Sequence, residues 1–203
     1  MSKIRVLGLL GIAEALLAAA MAWLFTSMSG VCPAGGPWLV FALPIAFGLH
    51  VCEEFAFPGG YPEWAVRFHP ERARAMTTSH FYRVNIIGGL AALGASLGAF
   101  DYSGGYSYIG VRVWLVMLAT LVVNAVGHVS GAVASKRYCP GVVTSVVLFL
   151  PLAVAGTRVL VGSGVVGVLS AAAFVAVGVP AYLYLIGRLR RVASENQHAE
   201  TPV

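Results

Sequence analysis

The stretch Trp38-Leu39-Val40-Phe41-Ala42-Leu43-Pro44-Ile45-Ala46-Phe47-Gly48-Leu49 is apolar without a break and then reads His50-Val51-Cys52-Glu53-Glu54. A helix that crosses a bilayer needs about 20 predominantly apolar residues, and this run, continued to the break at Pro58-Gly59, predicts one. Its end is the informative part. On insertion scales an ionised carboxylate at the centre of such a helix costs roughly 2.5–3.5 kcal/mol, less toward the interface. The whole chain has eight acidic residues, and two of them stand here beside a histidine. Such groups face the protein interior, find a partner and mark a site.

Composition places the rest of the chain in the same setting. Of 203 residues, 59% are apolar and only 10% charged, with a mean hydropathy of +0.83. A soluble domain carries about 25% charged residues. The reading is an all-α, polytopic transmembrane bundle of about six spans forming a single domain over residues 1–191. The spans fall near 5–27, 37–57, 80–100, 109–134, 141–161 and 164–187. Gly162-Ser163-Gly164 leaves so short a loop before the last one that a re-entrant hairpin, with five spans, is the alternative. The tail 192–203 is polar and expected to be disordered.

Orientation follows from the short loops, where Lys and Arg collect on the cytoplasmic side. With the N-terminus inside, eleven of the thirteen basic residues lie there, leaving Arg112 and Arg158 near the outer face. Both termini are therefore expected in the cytoplasm. The first apolar run is too long for a signal-peptide core and ends at no small-residue cleavage site. Eleven Arg against two Lys suggest a GC-rich bacterium and hence a bacterial inner membrane. The basic pI near 9.4 tracks this topology, so no nucleic acid is expected as a partner. Cys32, Cys52 and Cys139 show no C-x-x-C spacing, which argues against a disulfide framework or a thiolate zinc site.

Helical spacing then gathers the polar groups. Residues three and four apart share a face, so His50, Glu53 and Glu54 project together, as do Asn124 and His128 on the fourth span. Both spans run in the same direction, and the two clusters fall at matching depth. Imidazole and carboxylate suit Zn, Fe or Mn. His50, Glu53 and His128 would make three ligands with an open position. Glu54 would be the general base or bridge to a second metal, and Asn124 and Tyr138 would orient a ligand or stabilise oxyanion charge. His80 and Glu14 are further ligand candidates, although His80 reads better as an interfacial residue. Glu14, deep in the first span, is expected either to bond a neighbouring helix or to line a cavity leading to the site. The plain alternative is an interfacial cluster with the carboxylates paired to Arg67, Arg72 or Arg83. The segment from Phe57 to residue 80, alternating aromatic and basic residues, is expected to lie on the headgroups over the site. Gly94 to Gly98 and Gly127 to Gly131 are small-xxx-small spacings that predict close helix packing, within the chain or between copies in a homo-oligomer.

His50-x-x-Glu53-Glu54, the later His128, Tyr138-x-Pro140-Gly141 and the Pro58-Gly59-Gly60 break together resemble the HXXEE-domain family of small integral membrane proteins. The resemblance covers roughly residues 37–145 and implies a bacterial multi-pass protein whose family has no assigned reaction.

Three kinds of function are open to such a chain. One is a membrane-embedded, metal-dependent enzyme acting on a lipophilic or lipid-borne substrate near the cytoplasmic face by hydrolytic or proton-assisted chemistry. Another is a proton-coupled transporter using Glu14, Glu53, Glu54 and His128 as a relay; a helix-packing subunit is a third reading.

Overall fold

The computed structural model describes residues 3–28, 36–69, 76–101, 105–173, 176–177, 179–180 and 184. Its helices are α1 (Lys3–Met28), α2 (Gly36–Phe55), the short α3 (Tyr61–Phe68), α4 (Thr78–Ala99), α5 (Tyr108–Ser135) and α6 (Val142–Gly162). Residues 168–173 are also helical. Between α4 and α5 the chain forms a two-residue antiparallel pairing, β1 (Phe100–Asp101) with β2 (Gly105–Tyr106), within a fold that is all-α as expected.

Four of these helices, α1, α2, α5 and α6, are long and apolar enough to cross a membrane. The helix α4 has 22 residues, enough for a span, but carries Tyr82, Arg83 and Asn85 in its first half. The sixth expected span, 164–187, lies only partly within the described residues, and the tail 192–203 lies outside them.

Packing explains how an apolar bundle holds a definite shape. Lipid tails are as apolar as leucine, so helices associate through close backbone approach and hydrogen bonds. A Cβ on Gly11 would come within 2.4 Å of the Gly48 carbonyl oxygen, and one on Gly48 within 2.3 Å of the Gly11 oxygen. That mutual contact brings α1 onto α2. By contrast a Cβ on Gly94 or Gly127 would meet nothing within 4 Å among the described residues, whereas the Gly98 backbone is closely approached by Gly110 of α5, which has no room for a Cβ against the Gly98 carbonyl. Gly131 instead seats the Trp64 indole.

Pro44 sits inside α2 and has no N–H to give the Val40 carbonyl one turn earlier. In hydrocarbon an orphan carbonyl must find another donor. Trp114 Nε1, on α5, donates to that oxygen at 2.9 Å, and the Ser96 hydroxyl, on α4, donates at 2.7 Å. The proline thus turns one carbonyl into a junction of three helices. Around it Trp114, Phe41, Leu115 and Leu118 form a fully buried core.

Candidate metal centre between three helices

Successive residues on an α-helix are about 100° apart, so the two glutamates at the end of α2 leave in different directions. Glu53 turns to the start of α6. Its Oε1 accepts from Tyr138 Oη at 2.6 Å and from the Val143 N–H at 3.0 Å. Its Oε2 accepts from the Thr144 N–H at 2.7 Å and the Thr144 hydroxyl at 2.5 Å. The cap residue of that helix, Gly141, offers no side chain. A carboxylate from α2 therefore satisfies N–H groups that would otherwise be orphaned and meets the positive end of the helix dipole. Sequence spacing placed Glu53 among the metal ligands; in the structure both its oxygens are engaged at α6.

The Thr144 hydroxyl has one hydrogen, and it goes to Glu53. Its oxygen then accepts from His50 Nδ1, 2.8 Å away. The hydrogen-bond network thus assigns the His50 proton to Nδ1 and leaves a lone pair on Nε2. Around Nε2 stand the Asn124 amide at 2.9 Å and Glu54 Oε1 at 3.6 Å. Glu54 Oε1 is also 3.1 Å from His128 Nε2. The other nitrogen of His128, Nδ1, lies 3.5 Å from Cys139 Sγ. The two imidazoles meet edge to face with centroids 4.8 Å apart. His50 is 1%, His128 4% and Glu54 6% exposed. Among the described residues, neither carboxylate has Arg67 or Arg83 as a partner; Arg72 lies outside them.

The turn before α6 is shaped by these rings. A Cβ on Gly141 would come within 2.7 Å of Cε1 of both His50 and His128, and its φ of +96° is one that side-chain-bearing residues rarely adopt. Pro140-Gly141 lets the chain pass directly over the histidine pair. Tyr138, in the same turn, has its phenol pKa pushed up by partial burial and by the Glu53 carboxylate it donates to, so it remains a donor.

A cavity of about 320 Å³ opens on one side of the group, between α2, α4 and α5. His50, Glu54, Asn124, His80 and Asn85 form its polar end, and Phe47, Phe81, Ile87, Val116 and Leu121 are among its apolar walls. Tyr61 of α3 closes it on another side, its ring 5.4 Å from that of His128. His80 therefore faces the same space without joining the histidine pair. Glu14 does neither. It lies against Gly89 of α4, where a Cβ would come within 2.4 Å of its Oε2, and its buried Oε1 has no hydrogen-bond partner among the described residues.

His50, Glu54 and His128 each offer a ligand atom, all within 4.8 Å of one another. In a tetrahedral site with bonds of about 2.0–2.1 Å, neighbouring ligand atoms stand about 3.3 Å apart. The separations of 3.1 and 3.6 Å at Glu54 Oε1 bracket that value. The hydrogen bond from His50 Nδ1 to a carboxylate-bound hydroxyl is the outer support that ligating histidines normally have. Three residues that spacing did not single out complete the arrangement: Thr144, Cys139 and Tyr61.

The fold and this centre define a helical bundle with a buried histidine–carboxylate group at one end. The chain belongs to the family described as proteins of unknown function with an HXXEE motif, whose family model matches residues 38–155. That range contains every residue of the group. No curated protein and no solved structure matches the chain.

Proposed function

We propose that this is a membrane-embedded, metal-dependent enzyme acting on a lipophilic substrate. It resides in a bacterial inner membrane with the arginine-rich end toward the cytoplasm. The observation that carries the reading is the opening of a buried His50–Glu54–His128 group into a mainly apolar cavity. The metal set proposed is therefore His50, His128 and Glu54, with Glu53 supporting His50 through Thr144. A Zn, Fe or Mn ion there would supply Lewis-acid activation. The chain's own groups do the rest. Asn124 stands beside the His50 nitrogen, where it can orient a polar headgroup. The walls of the cavity hold the apolar part and exclude water. Such a division suits hydrolysis of a lipid-borne ester, amide or phosphoester.

One observation favours a second reading. The Asn124 amide already reaches His50 Nε2, and His128 already pairs with Glu54, so protons alone can close the network. That supports a proton-handling role, in transport or in catalysis. The two readings separate in proteoliposomes made with a bacterial lipid extract and assayed by lipid mass spectrometry. The enzyme reading expects a chelator-sensitive change in one lipid class that His50→Ala abolishes. An unchanged lipid profile, together with His128-dependent proton flux across the same vesicles, would replace it with the transporter reading.

A further inference from the structure

A second recess, of about 440 Å³, lies outside the metal group where α3 meets the turn after α5. Its walls are Glu63, Trp64, Arg67 and Phe68 from α3, with Arg137 and Tyr138 from the turn. Nothing in the chemistry proposed above uses the two arginines.

Neither guanidinium is paired with a carboxylate among the described residues. Glu63 and Arg67 are four apart on α3, the spacing of a helical ion pair, yet no such pair forms. Arg67 lies instead over the Phe68 ring, 5.5 Å from its centroid. Arg137, in the turn beyond the helix end, also has no carboxylate partner among the described residues. Two planar five-donor forks therefore line one concavity with aromatic side walls. Arginine is the side chain whose geometry matches phosphate oxygens in pairs. The apolar surround points to a lipid as the carrier of that phosphate. The short helix exposes Val66 beside Arg67, and α5 exposes Val133 one turn before Arg137. Basic pockets at the cytoplasmic ends of membrane helices hold phospholipid headgroups by this combination.

We propose that this recess binds the phosphate of an anionic phospholipid headgroup, gripped between Arg67 and Arg137. The site is independent of the metal reading. Occupancy would hold α3 against the end of α5, where Trp64 already rests on Gly131, and so keep Tyr61 over His128.

The test uses the full chain in neutral detergent, with dioctanoyl phosphatidylglycerol as the probe and native mass spectrometry as the readout. One lipid should bind per chain, and Arg67→Gln/Arg137→Gln should weaken it by about tenfold or more, with metal content unchanged. Dioctanoyl phosphatidylcholine, whose cation cancels the phosphate charge, should bind more weakly. Inorganic phosphate should fail to displace the lipid. Displacement by phosphate as tight as the lipid itself, with the same arginine dependence, would overturn the lipid assignment in favour of a soluble phosphate ligand. Equal affinity of the wild type and the double variant would overturn the site altogether. Should the double variant not fold, Arg137→Gln alone decides, because that residue is exposed and lies outside every helix.

Discussion

At the scale of single residues, Thr144 and Gly141 carry consequences that the charged residues do not reveal. Thr144 passes the orientation set by Glu53 to His50, so Thr144→Val should leave the fold intact and weaken metal binding by about 10–100-fold, as loss of outer-shell support does. A metal titration of that variant that overlays the wild type would remove the proposed support. Gly141→Ala puts a methyl group within 2.7 Å of both imidazoles at a positive φ. Strain of that kind costs of order 1–3 kcal/mol, and a lowered unfolding temperature with loss of metal is expected. An alanine variant with wild-type melting and metal content would show that the turn does not lie on the histidines. Tyr138 gives a pH signature. A phenol whose folded-state pKa is raised contributes stability that is fully present below its unfolded value, about 10, and is lost as pH rises through the folded one. Unfolding profiles should therefore fall at alkaline pH in the wild type and flatten there in Tyr138→Phe; equally steep profiles would contradict the Tyr138–Glu53 bond.

At the scale of elements, the Val40 carbonyl shows how one helix break organises its neighbours. Pro44 frees it, and Trp114 and Ser96 bond it from two other helices. Trp114→Phe keeps most of the packing and removes one donor, at an expected cost of about 1–3 kcal/mol; a thermal unfolding curve unmoved by the change would mean the carbonyl is otherwise served. What spacing and hydropathy reveal is also clearest here. His50 with Glu54, and Asn124 with His128, were legible because a helix puts residues four apart on one face. The destination of Glu53 was not legible, because it is the uncapped start of α6, a contact 90 residues away in sequence. Thr144 and Cys139 come from that same return of the chain, which no periodicity encodes. The π-helical turn at Ser145–Phe149 was equally invisible, since an inserted residue alters winding without altering hydropathy. Close helix approach was expected from Gly94 to Gly98 and from Gly127 to Gly131; it occurs at Gly98 against Gly110 and also at Gly11 against Gly48, a pair the spacings did not pick out, because small residues permit contact without specifying a partner.

At the scale of the whole molecule, the bundle brings a buried histidine–carboxylate group, an apolar cavity and an arginine-lined recess to one end. Tyr61 and Tyr138 stand between them: Tyr61 walls the cavity and touches His128, while Tyr138 walls the recess and bonds Glu53. Under the proposed function, this layout would let the site take its substrate from the bilayer and keep its chemistry away from bulk water. In the proposed function His50, Glu54 and His128 hold a metal ion. Elemental analysis of the detergent-purified chain, beside His50→Ala/His128→Ala, decides whether they do. About one equivalent of Zn, Fe or Mn per chain is expected, lost in the double variant while helix content is retained. A well-folded wild type that holds no metal even after reconstitution with each ion, or a double variant that holds as much as the wild type, would contradict the proposal.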